Sequence, residues 1–155
     1  MWGFQDNHPG SRGIGWEYSG IIEGMHPDGN FSRTSLMYSL LKTQGITIEN
    51  WRSDVIFGAV EKEDGLLISI SSNKPWKGKL IFDHSRHSKD LNLPYDWPRI
   101  NQFQEWYTVK EDSKYEILNT ADNQNDIFSG SELINGIELT LEEGKQYFIQ
   151  VKEVK

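Results

Sequence analysis

The chain has 155 residues, enough for one ordinary domain or one domain with an extension. Its formal net charge of −7 argues against a nucleic-acid backbone or an anionic membrane as the main partner, and the densest basic cluster, Lys74 to Lys79, holds only three lysines. The absence of cysteine excludes disulfides, thiolate metal sites and cysteine nucleophiles together.

Hydrophobic residues make up 36% of the chain, but 6 Trp, 7 Phe and 6 Tyr supply enough large apolar surface for a core. No apolar run approaches the length of a membrane span, and no signal-peptide pattern opens the chain. The abrupt Met-Trp-Gly-Phe start reads as the cut end of a longer chain, which leaves the compartment open.

The first stretch, Trp2 to Gly29, concentrates chemistry in a glycine-rich segment. Seven glycines in these residues argue against regular structure before Ser32, while the aromatics argue against disorder. An ordered surface loop is therefore expected. His8-Pro9-Gly10 suits a type II turn and His26-Pro27-Asp28-Gly29 a type I turn. Asp6-x-His8 and His26-x-Asp28 place carboxylate and imidazole two apart on extended backbone, so Asp6, His8, His26 and Asp28 are the candidate ligands of a divalent metal. The plainer reading makes Asp28 a turn residue and the histidines loop anchors. Glu17 and Glu23 are the candidate acid and base of a glycoside hydrolase, with Asp28 as a third carboxylate. A lyase would instead use His8 or Tyr18 as base, with Arg12 neutralising a uronate carboxylate and Trp16 available for stacking.

An amphipathic helix follows. Ser32 is a suitable N-cap, Leu36, Met37, Leu40 and Leu41 form an apolar stripe, and Gly45 reads as the glycine that ends the helix. Such a stripe is expected to be buried, against the sheet that follows or against a further helical domain.

From Ile46 the pattern becomes short β runs: Ile46–Trp51, Val55–Val60, Leu66–Ser71, Lys79–Asp83, a brief Asp90–Leu93, Glu105–Val109, Tyr115–Leu118, Ile137–Leu141 and Gln146–Val151. Glu61 to Gly65 and Glu142 to Lys145 read as hairpin connections. With no second helix in view, this predicts a mainly β protein, an antiparallel two-sheet β-sandwich preceded by an irregular segment and one helix. The expected division is 1–45 for loop and helix and 46–155 for the sandwich.

Several aromatics fall where loops are expected. Trp76 lies between Lys74 and Gly78, and Tyr95 and Trp97 lie in a proline-stiffened Leu93-Pro94-Tyr95-Asp96-Trp97-Pro98. Exposed rings beside polar side chains suit a sugar, whose C–H face stacks on the π surface; covering the sandwich edge is the structural alternative. His84 and His87, with Asp83 and Asp90, are a further metal possibility or simply a solvated loop. Asn119 to Asp126 reads as an exposed polar loop, with calcium conceivable from its side-chain oxygens but without EF-hand spacing. No nucleophile elbow, P-loop or dinucleotide fingerprint is present.

The combination of DNHPGSRG, GWEYSGIIEGMHPDG, the helix RTSLMYSLLKTQG, and then PWKGKLIFD and LPYDWPRINQFQEWYTV resembles the tail of large bacterial carbohydrate-active proteins, in which an (α/α) catalytic domain precedes a C-terminal β-sandwich. The likeness is one of layout and spans most of the chain. It implies that 1–45 ends the catalytic region and 46–155 is its accessory sandwich; no catalytic role is carried over by residue. The leading expectation is an accessory module that binds a polysaccharide or supports the neighbouring domain, periplasmic or secreted in a bacterium, and needing no cofactor. The alternatives are a hydrolase or lyase with its active site in residues 6–28, and a docking module without glycan affinity.

Overall fold

The computed structural model describes residues 29–93, 105–120 and 124–154. The chain divides into two compact units, Met1–Ser39 and Leu40–Lys155, a boundary a few residues before the one expected from the pattern.

Helix α1 runs Gly29–Thr43, starting three residues before the expected cap. Gln44 closes it with both its groups, its backbone N–H donating to the Leu40 carbonyl at 2.7 Å and its side-chain amide to the Leu41 carbonyl at 2.7 Å. Gly45 follows at φ +87°, and a Cβ there would meet the Tyr107 carbonyl oxygen at 2.4 Å. Glycine is required both for the left-handed turn and for the close approach. The apolar stripe is not the buried face expected of it, because Leu36, Met37 and Leu41 are exposed and Leu40 is half-buried.

Two antiparallel sheets build the sandwich. Strands β1 (Ile46–Glu49), β4 (Trp76–Phe82) and β7 (Ile137–Leu141) form the smaller one in the order β1-β4-β7. Strands β2 (Val55–Lys62), β3 (Gly65–Ser72), β8 (Gln146–Val154), β5 (Lys114–Asn119) and β6 (Gln124–Ser129) form the larger one in the order β2-β3-β8-β5-β6. Alternation decides the faces. Leu66, Ile68 and Ile70 of β3 and Tyr147, Ile149 and Val151 of β8 point inward and are buried, as are Leu80 and Phe82 of β4. Together with Ile46, Ile48, Ile117 and Leu141 they belong to one apolar core cluster. Each such side chain contributes ~1.5–3 kcal/mol by leaving water.

The β2–β3 hairpin forms as expected, with Lys62 opposite Gly65, but other details differ from the sequence pattern. The Glu142–Lys145 connection, however, is not a hairpin: β7 pairs with β4 while β8 pairs with β3 and β5, so this turn carries the chain from one sheet to the other. Strand β6 occupies part of the expected polar loop. The expected Asp90–Leu93 strand does not form, and two short helices appear, α2 (Arg86–Lys89) just before that segment and α3 (Gly130–Asn135) after β6. Helix α3 starts on a capping box: Ser129 Oγ accepts from the Glu132 N–H at 3.2 Å and the Glu132 carboxylate accepts from the Ser129 N–H at 2.8 Å. Residues 105–109 form no strand; Tyr107 and Val109 instead donate their N–H groups to Gln44 and Asp83 carbonyls.

Candidate functional site

The candidate catalytic and metal residues Asp6, His8, Glu17, Tyr18, Glu23, His26 and Asp28 lie outside the described residues, as do Arg12, Trp16, Tyr95 and Trp97.

Trp76 is corrected. It is not an exposed platform but the first residue of β4, 4% exposed and part of the core. Its indole N–H donates to the Asn50 carbonyl at 2.9 Å. Gly78, two residues on along the same face, leaves room for the ring: a Cβ there would lie 2.3 Å from it. The flanking lysines and proline suggested a loop, but the strand begins at the ring itself.

The histidine segment also resolves into separate tasks. His84 Nε2 meets the two Asp90 carboxylate oxygens at 3.0 and 3.1 Å. Asp83 accepts from the His84 N–H at 3.0 Å and from Arg86 Nε at 2.9 Å. His87 is buried on α2, and its N–H donates to the buried Glu105 carboxylate. Among the described residues, no three His, Asp or Glu side chains gather as a metal site. Asp83, His84 and Arg86 help line a cleft of about 390 Å³ whose other walls include Ile46, Phe82 and Ile134.

The most exposed aromatic among the described residues is Trp51, which the alternating pattern does not reveal: Ile46–Trp51 reads as one strand, but β1 stops at Glu49 and Trp51 is 71% exposed. The signal was Asn50, a residue that tolerates the left-handed turn and here adopts φ +65°, followed by the Ser53-Asp54 turn pair.

The backbone around this indole is tightly held. Arg52 grips both carboxylate oxygens of Asp54 with Nε and Nη2, the latter at 2.9 Å. The same guanidinium reaches across to the β3–β4 connection, donating to the carbonyls of Pro75 at 3.2 Å and Lys74 at 3.0 Å and to Ser72 Oγ at 3.0 Å. The Asn50 side-chain amide donates to the Lys77 carbonyl at 3.4 Å. The Arg52 hydrogen bond, reinforced by its charge, holds the Asp54 carboxyl below the usual carboxylate range against a smaller opposing effect of burial. A large ring thus faces solvent on a loop whose flanks are already ordered. Ordering of the flanking backbone would add little to the cost of a ligand stacking on it.

The second surface feature is the outer face of the larger sheet. Glu116, Leu118, Asn125, Gln150 and Lys152 line a shallow concavity of about 140 Å³ across β8, β5 and β6. The Asn125 amide donates to the Glu116 carboxylate at 2.8 Å, and the Lys152 ammonium lies 2.6 Å from Asp64. Phe148, two residues from Gln150 on the same face of β8, is 52% exposed.

No family model matches the chain, no curated protein matches it, and no solved structure matches its fold.

Proposed function

We propose that this chain is a glycan-binding β-sandwich, an accessory module of a polysaccharide-processing protein, with Trp51 as its sugar-stacking platform. The observation that carries the reading is the 71% exposed indole on a loop pinned by Arg52 and Asn50. An exposed tryptophan loses apolar contact with nothing in its own fold, and a pyranose C–H face is the kind of flat, weakly polar surface that would cover it. The formal charge of −7 fits an uncharged polymer better than a polyanion. The hydrolase and lyase readings depend on Glu17, Glu23, His8 and Tyr18, which are not described, whereas binding depends on described residues.

A domain-supporting role is the second reading, favoured by the exposed Leu36, Met37 and Leu41 of α1. The two readings are separated by titrating intrinsic tryptophan fluorescence with soluble neutral and acidic polysaccharides. The glycan reading expects a saturable change with at least one polymer, weakened by Trp51→Ala roughly tenfold, or ~1.4 kcal/mol. A folded protein that responds to none of them would leave the supporting role.

A further inference from the structure

The strand register of the larger sheet aligns five outward side chains in one row. Val60 of β2 stands opposite Leu67 of β3, Leu67 opposite Gln150 of β8, Gln150 opposite Leu118 of β5, and Leu118 opposite Asn125 of β6. At ~4.8 Å between neighbouring strands the row is about 19 Å long. It runs from one edge strand, β2, to the other, β6. Phe148 borders it on one side, and the opposed pair Glu116 and Lys152 borders it on the other.

We propose that this row is a second binding line, taking an uncharged linear oligosaccharide laid across the strands and held along its length rather than at one end. The choice of a glycan rests on the reading given above; the line, its direction and its charge preference come from the sheet itself. Val60, Leu67 and Leu118 are apolar ledges, and the amides of Gln150 and Asn125 between and beyond them both donate and accept, as sugar hydroxyls do.

The cation of the concavity, Lys152, is held by Asp64 at 2.6 Å, and Glu116 contributes a negative charge, so a uronate or sulfate finds no unmatched partner there. Phe148 stands opposite Ser69 and between Gln146 and Gln150, diagonal to Leu67 and Leu118, so amide and apolar side chains interleave along the row. Since the row ends on both edge strands, a longer polymer can overhang it on either side.

The test is calorimetric titration of the full chain, as wild type and as Trp51→Ala, with neutral β-1,4-linked gluco-, xylo- and manno-hexasaccharides and with hexagalacturonate. The expected result is that Trp51→Ala still binds a neutral hexamer, more tightly than the matching disaccharide. Adding Gln150→Ala or Phe148→Ala should then weaken binding about tenfold or more, with the circular dichroism spectrum unchanged. If the wild type binds a hexamer but Trp51→Ala binds none, or if neither added change matters, the sheet line is overturned while the glycan reading stands. Preference for hexagalacturonate overturns the charge assignment. A wild type that binds nothing overturns the glycan reading and the second line with it.

Discussion

The indole N–H of buried Trp76 donates to the backbone carbonyl of Asn50 at 2.9 Å, so the core tryptophan anchors the residue immediately before the exposed one. Trp76 and Trp51 divide the two roles that sequence reading assigned to one ring: filling the core, and facing solvent.

That anchor yields a stability prediction. Trp76→Phe removes the indole donor, leaves the Asn50 carbonyl without that partner, and opens a void beside Gly78. A loss of about 2 kcal/mol is expected, read from the urea midpoint at unchanged slope. A change below about 0.5 kcal/mol would mean that the hydrogen bond and the ring's packing contribute little.

The guanidinium of Arg52 is the second pin. Lysine keeps the charge but cannot grip two Asp54 oxygens and reach Pro75, Lys74 and Ser72 at once. Arg52→Lys is expected to destabilise the fold by about 1 kcal/mol and to increase the mobility of the Trp51 indole, measured by ¹⁵N relaxation of its Nε1–H. An indole as rigid as in the wild type would separate the arginine network from the presentation of Trp51.

The same pair sets a pH dependence. The Asp54 carboxyl is held below its ordinary value of 3.8 in the folded state, chiefly by the Arg52 hydrogen bond. Its stabilising contribution is therefore complete above that value and is lost as pH falls through the lower folded value. The stability difference between wild type and Asp54→Asn, followed by denaturant unfolding, should shrink on acidification below pH 3.8. A difference that stays constant through that range would exclude the carboxylate charge as its source.

At the helix end, Gly45→Ala places a Cβ against the Tyr107 carbonyl at a residue with φ +87°. Strain and clash act together, and a loss of roughly 2–3 kcal/mol is expected in thermal or urea unfolding. A neutral outcome would show that the 107 segment gives way without penalty.

Much of the sandwich was legible because its strands alternate. Ile137–Leu141 has the bounds expected from the pattern, and Val55–Lys62 and Gly65–Ser72 meet at the Glu63-Asp64 turn. Strand β6 was hidden because Gln124, Asn125 and Asp126 are polar; on an edge strand no apolar outer partner requires otherwise. Helix α3 was readable in principle, since Ser129-x-x-Glu132 is a capping-box spacing, but six residues are too short for a helical stripe to register.

What the sequence by itself determined were the local matters: β alternation, the glycine that stops α1, the exclusion of thiol chemistry, and a formal net charge of −7. These depend on a residue and its near neighbours, through backbone dihedrals, side-chain period and formal charge. Tertiary structure alone decided which tryptophan is buried, that β7 and β8 belong to different sheets, and which five side chains share one row. Each of these depends on partners far away in sequence: the Asn50 carbonyl 26 residues from Trp76, or Leu67 set opposite Gln150 by strand register. Local pattern says that a side chain has an inward or outward turn; only pairing says what it then faces.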